Sequence, residues 1–280
     1  MKLADRTVLL VVISTVLFIL LLYGFGYLVV QRGYLELEGE HCRDRVASAA
    51  VALKQRSDDL DVSVADWATW DDSYEFVAGD NDEFVAINLT EEAYAALRIH
   101  LLIIADTSGR IVASMYKDSQ GNAIEPPEEE IRSLIARAYP MCDVGGEDPG
   151  VRGIIVLGGS PMFAAARRIL TSAGDGPDHG MLIMGKRIDD VELDRVSQAL
   201  GEKVSVVPFS DAITELNEAE QAVLLSSVTQ EPLARFDGSR MHGYSPVSEM
   251  FAGRQLMVTI ETEMLILERG VMTAHSFALM

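Results

Sequence analysis

From Thr7 to Val30 the chain runs for 24 residues without a charged side chain. Wound as a helix, that run reaches about 36 Å and exceeds the roughly 30 Å hydrocarbon core of a bilayer. It is longer than a signal-peptide core, and no small-residue cleavage pattern precedes Gln31 and Arg32, so a retained membrane helix is expected. Lys2 and Arg6 stand before it, which places the N-terminus in the cytoplasm and the bulk of the chain outside.

Past the span, Leu35, Gly39, Cys42, Val46, Ala49, Leu53, Arg56 and Leu60 alternate spacings of four and three, a heptad seam on a helix. Two arrangements satisfy that seam. One is a parallel homodimer that sets Cys42 opposite the Cys42 of a second copy; the other is a helix lying along its own domain. Either way a stiff rod continues the membrane helix outward.

The apolar runs then shorten and become strand-like. Ile99 to Ala105 and Arg110 to Tyr116 flank Asp106-Thr107-Ser108-Gly109 as a β-hairpin. Pro126-Pro127 and Glu128 to Glu130 open a helix that runs to about Tyr139. Gly153 to Leu157, Phe163 to Leu170 and Met181 to Lys186 supply three more strands, giving a five-stranded antiparallel sheet with helices to one side. A short helix bracketed by Asp189 and Gly201 leaves this module. Val204 to Val207, Ala234 to Phe236, Met241 to Val247 and Leu256 to Ile260 form a smaller β-rich unit, with Asp237-Gly238 turning one hairpin. Val271 to Met280 is again apolar apart from Thr273, His275 and Ser276.

Charge narrows the range of partners. The chain carries 23 basic and 43 acidic residues, and from Gln31 onward its net charge is −21, a surface that repels nucleic acid and anionic headgroups. Its 2 cysteines, Cys42 and Cys142, imply neither a disulfide scaffold nor a zinc site. His41, His100, His179, His242 and His275 lack metal-ligand spacing and have no nucleophile beside them. In Gly145-Gly146-Glu147-Asp148 the following Pro149-Gly150 departs from a diguanylate cyclase signature and reads as a loop. Catalytic residues, metal ligands and cofactors are therefore not expected, and no kinase, cyclase or methyl-accepting sequence is recognisable.

Both tryptophans fall in Asp66-Trp67-Ala68-Thr69-Trp70-Asp71-Asp72-Ser73-Tyr74. On one helix, Trp67, Trp70, Asp71, Tyr74 and Ala78 would share roughly a 100° arc, with Asp72 pointing away. Such a face either packs into a core or forms one wall of a ligand pocket. Here the chain resembles the fourth subgroup of CHASE extracytoplasmic sensor domains, relatives of the Cache and PAS-like sensors of microbial receptors. Asn88-Leu89, Leu102 to Ile111, Ile169-Leu170-Thr171-Ser172, Gly174 to Pro177 and Gly180 to Gly185 carry the same resemblance, which covers Leu60 to Leu200. Lys186 stands where the family has an arginine directly after the glycine.

The resemblance implies an α+β fold of two Cache-like modules. The expected parts are a cytoplasmic N-terminus at 1–6, a membrane helix at 7–30, a helical stalk at 31–61, a PAS-like sensor module at 62–200, a smaller membrane-proximal module at 201–262, and a C-terminal helix at 263–280 that begins a second membrane span. It further implies a sensory domain of a signal-transduction receptor, single-pass in the cell membrane and homodimeric. An unidentified small-molecule ligand is implied, with the cytoplasmic effector absent from this chain. Its candidate ligand-binding residues are Trp67, Trp70, Asp71, Tyr74, Asn88, Arg167 and Arg168, and strand alternation lets only one of the two arginines face Asp71. A second class stays open: a membrane-anchored adaptor that binds a neighbouring receptor and no small molecule.

Overall fold

The computed structural model describes residues 3–143, 149–226, 231–251 and 255–264. The Gly145 to Asp148 loop and the apolar run from Val271 lie outside them.

A single helix, α1 (Leu3–Ala68), carries the uncharged apolar stretch and the seam without a break. Among the described residues it is the one helix long and apolar enough to cross a membrane. Three short helices follow, α2 (Asp71–Ala78), α3 (Phe84–Asn88) and α4 (Glu91–Leu97). Gly79 closes α2 at φ 90°, a left-handed cap that glycine adopts without steric cost. The strands β1 (Leu101–Asp106) and β2 (Ile111–Tyr116) form the expected hairpin. Asp106 holds its turn by accepting from Ser108 and Arg110, and these hydrogen bonds, the Ser108 hydroxyl foremost, lower its pKa to about 2.

Helix α5 (Glu128–Ala138) precedes β3 (Val151–Leu157), β4 (Ser160–Arg168) and β5 (Gly180–Arg187). These strands complete an antiparallel sheet in the order β2-β1-β5-β4-β3. Helix α6 (Asp190–Leu200), capped by Asp189 and Gly201, leads to β6 (Lys203–Pro208), α7 (Phe209–Thr214) and α8 (Glu218–Ser226). Then β7 (Leu233–Phe236), β8 (Met241–Ser248) and β9 (Gln255–Thr262) build a second sheet, β6-β9-β8-β7.

One expectation is corrected, and of the two arrangements open to the seam the chain takes the second. Helices cover both faces of the five-stranded sheet, because its central strands are apolar on both sides: Leu101 to Ala105 are all fully buried. Leu102 and Ile104 face α1, while Ile103 faces Ile131, Leu134 and Ile135 of α5. The heptad seam, for its part, faces the chain's own two sheets. Cys42, Val46, Ala49, Leu53 and Leu60 are all buried there in one core with Val258 and Ile260 of the small sheet and Phe163 of the large one. In this packing the seam is covered by the chain's own sheets and is not offered to a second copy, so the expected Cys42-to-Cys42 meeting is replaced by burial of Cys42 in the core. Burial pushes its thiol up to about 12.

Candidate functional site

Close contact between α1 and both sheets rests on small residues. At Gly243 of β8 an added Cβ would lie 3.0 Å from Cys42 Sγ and 3.0 Å from Val46 Cβ, so only glycine lets the small sheet approach this segment. Further along α1, Ser57 Oγ donates to the Gly153 carbonyl at 3.1 Å. Asp61, buried, accepts two hydrogen bonds from Arg167, from Nε at 2.8 Å and from Nη2 at 2.6 Å. Arg152 Nη1 stands 3.6 Å from the same carboxylate while its Nε donates to Asp58 at 2.5 Å. The fork geometry of the guanidinium makes this a directional tie between helix and sheet.

The aromatic segment does not form one helical arc. Thr69 and Trp70 break it, with Trp70 extended at φ −119° and ψ 129°. The reason lies across the chain, in the β4–β5 connection. Leu170 N donates to the Ala68 carbonyl at 2.9 Å, taking an acceptor at the end of α1 that a continuing helix would use. Ser172 N donates to Asp71 Oδ1 at 2.8 Å, and Asp71 N donates to Ser172 Oγ at 3.1 Å, a reciprocal pair at the start of α2. The Ser172 backbone bond in particular holds the Asp71 carboxyl below its usual range. Tyr74 stacks on His179 at 3.6 Å between ring centroids and donates its hydroxyl to the Pro177 carbonyl at 3.2 Å. One loop thus clasps the end of α1 and the start of α2.

Trp67 and Trp70 meet edge-on at 6.0 Å, and Trp70 continues onto Phe84, which stacks on Phe76 at 4.7 Å. Trp67, Trp70, Asp71 and Tyr74 therefore gather on either side of the helix break, though not as a single face. Asp71 pairs with neither arginine. Arg167 turns to Asp61 on α1, and Arg168, one residue on, turns to the opposite face of the sheet. There Arg168 lies over the Tyr139 ring at 4.4 Å, donates to the Tyr139 carbonyl at 3.1 Å and stands 3.7 Å from Asp178. Burial, together with its hydrogen bond to Asp178, raises the Tyr139 pKa to about 12. Asn88 ends α3, half-buried and apart from this group.

Asp61, Ser172 and His179 were not singled out by sequence reasoning. Asp61 left a readable trace as a polar residue in register with the buried positions Ser57, Val64 and Ala68 of one helix, and Ser172 lay within the Ile169 to Ser172 stretch that carries the family resemblance.

A long N-terminal helix laid across antiparallel sheets of five and four strands resembles the PAS- and Cache-like sensor domains. The family comparison agrees: the CHASE4 domain matches residues 52–207, and the chain belongs to that family of sensor domains of signal-transduction receptors. It is 21% identical over 239 residues to the methanogenesis regulatory histidine kinase FilI of Methanothrix harundinacea (strain 6Ac), covering 85% of this chain and 26% of that kinase. The chain thus spans about a quarter of that relative, whose catalytic part lies outside the shared region. Among solved structures, the extracellular domain assigned to the histidine kinase vpHK1S-Z8 is similar at TM-score 0.57 and 12% identity, over 84% of this chain and 98% of that one. A domain of a sensory box/GGDEF family protein from Vibrio parahaemolyticus follows at TM-score 0.54 and 12% identity, over 84% and 99%. At these identities the likeness is one of fold.

Proposed function

We propose that this chain is the extracytoplasmic input domain of a single-pass membrane receptor, which senses a small molecule and passes its state along α1 to a cytoplasmic effector outside this sequence. The observation that carries the reading is the continuity of α1. One helix holds the apolar span, the contact with the small sheet at Cys42 and Val46, the ion pair at Asp61 and the clasp at Ala68. A shift of either sheet moves a rod that enters the membrane, with the four-stranded sheet as the membrane-proximal module. The clasp residues Trp67, Trp70, Asp71 and Tyr74 act as the coupling between α1 and the sheet, and Arg167 acts with them through Asp61.

A homodimer belongs to this reading through the outward face of α1 in place of the buried seam. Leu37, Val51 and Val62 are exposed there by 51%, 68% and 64%. The same face, beside a large sheet whose two faces are filled with buried side chains, favours the second reading of an adaptor that binds a partner receptor.

Thermal-shift screening of the full chain in nanodiscs against amino acids, carboxylates and amines separates the two. A saturable rise in melting temperature with one compound class supports sensing. A flat response across all three leaves the adaptor.

A further inference from the structure

The register of the small sheet sets its side chains in rows. On the face away from α1, Val207, Met257 and Pro246 form one row, Ser205, Thr259 and Tyr244 the next, and Lys203, Glu261 and His242 the third. Helices α7 and α8 bury the apolar end of this face, where Ala212, Leu216 and Leu224 pack on Met257 and Tyr244. They cover Tyr244 but leave Ser205 and Thr259 of the second row half-buried and stop short of the third row. What remains is a concavity of about 310 Å³ floored by the hydroxyl row and walled by Asp211 and Glu215. That size lies at the lower end of the roughly 300–1,000 Å³ typical of small-molecule sites.

Charge distinguishes the groups around it. Glu261 is paired with Arg240, and His242 Nε2 lies 2.9 Å from Asp237 Oδ2, so these side chains already have partners. Arg235 is drawn to the end of α7, donating to the Glu215 carbonyl, with its Nε 4.0 Å from Glu220. Asp211 and Glu215 remain, four residues apart, Glu215 being the C-cap of α7 in helical conformation, and positions so spaced are neighbours. Asp211 accepts one hydrogen bond from Ser210 at 3.0 Å, and among the described residues neither carboxylate has a cationic partner. Lys203, the cross-strand neighbour of Glu261, adds, behind the Arg240 hydrogen bond, to the positive charge that lowers that carboxyl's pKa, and also lines the concavity.

We propose that this concavity binds a small ammonium-bearing molecule, its cationic nitrogen held by Asp211 and Glu215 and its polar body by the hydroxyls of Ser205 and Thr259. A carboxylate on the same molecule would reach Lys203. The proposal rests on the sensory reading above and names the chemical class of its ligand.

An isosteric series tests it on the full chain in nanodiscs at about 0.15 M salt, where screening beyond about 8 Å suppresses diffuse attraction to the acidic surface. The probes are 1,4-diaminobutane, 4-aminobutanoate, succinate and butane-1,4-diol, read by thermal shift and titration calorimetry. At least one of the two amines is expected to bind saturably, with succinate and the diol inert. The double variant Asp211→Asn/Glu215→Gln, both positions exposed, should keep the unliganded melting temperature and weaken amine binding by about ten-fold or more. Lys203→Ala should weaken only 4-aminobutanoate, which separates a zwitterionic from a purely cationic ligand. Amine binding that survives the double variant overturns the pocket and leaves sensing intact, as does tightest binding by succinate. Silence from all four probes together with a flat broad screen removes both.

Discussion

At the residue scale, Asp61 is the group on which most depends. A carboxylate buried between its helix and a sheet is costly to desolvate, and Arg167 offsets that cost with two aligned donors while Arg152 approaches from a second strand. Removing one partner leaves the other charge buried and only half compensated. Arg167→Met is therefore expected to destabilise the domain by about 2–4 kcal/mol in chemical denaturation, less than an unaided orphan because Arg152 remains. Asp61→Leu combined with Arg167→Met should recover much of that loss, since a packed apolar pair carries no desolvation cost. A change of less than about 0.5 kcal/mol for Arg167→Met would show the pair to behave as a surface ion pair and remove it from the coupling path.

At the scale of elements, the approach of α1 to the small sheet is set by a missing side chain. A methyl at Gly243 would come within 2.8 Å of Ile260 Cγ1 as well as crowding Cys42 and Val46, all in a core without slack. Gly243→Ala should cost about 1–3 kcal/mol through overpacking. Gly39→Ala, on α1 with its nearest neighbour the Arg43 side chain at 3.7 Å, should be neutral or gain about 0.5–1 kcal/mol from helix propensity. Equal melting temperatures for the two variants would sink the argument. Local chemistry made much of this architecture legible in advance: Asp106 and Gly109 in the first hairpin turn, Asp189 and Gly201 around α6, Gly79 after α2. What escaped were decisions taken by partners far along the chain. The periodicity of α1 says that one face is buried but not what buries it. The break at Trp70 depends on Leu170 and Ser172, about a hundred residues away, so the aromatic spacing alone pointed to a continuous arc. Helix α5 was readable, but its position on the second sheet face followed from strands that are apolar on both sides, a pattern open to inspection in Leu101 to Ala105.

At the scale of the whole molecule, the inward face of α1 is used up, and its outward face is what a second copy can meet. Leu37, Val51 and Val62 are 14 and 11 residues apart, which at about 100° per residue keeps all three within roughly a 60° arc. In the homodimer proposed above, a shared membrane would hold two copies parallel, and equivalent positions on this arc would face each other across a two-fold axis. Cysteine placed at Val51 or at Val62 should form an intermolecular disulfide in membranes treated with a mild oxidant, visible as a dimer band on non-reducing electrophoresis. Cysteine placed at Leu53, only two residues from Val51 but 1% exposed, should not. The wild type supplies the baseline, since Cys42 and Cys142 are both buried and their thiols are pushed up to about 12 and about 11, leaving little thiolate to react. Cross-linking at Leu53 in preference to Val51 would mean that α1 leaves its own sheets to pair in the membrane. Silence at both outward positions would place any self-association elsewhere on the surface and leave the outer face of α1 to a different helix.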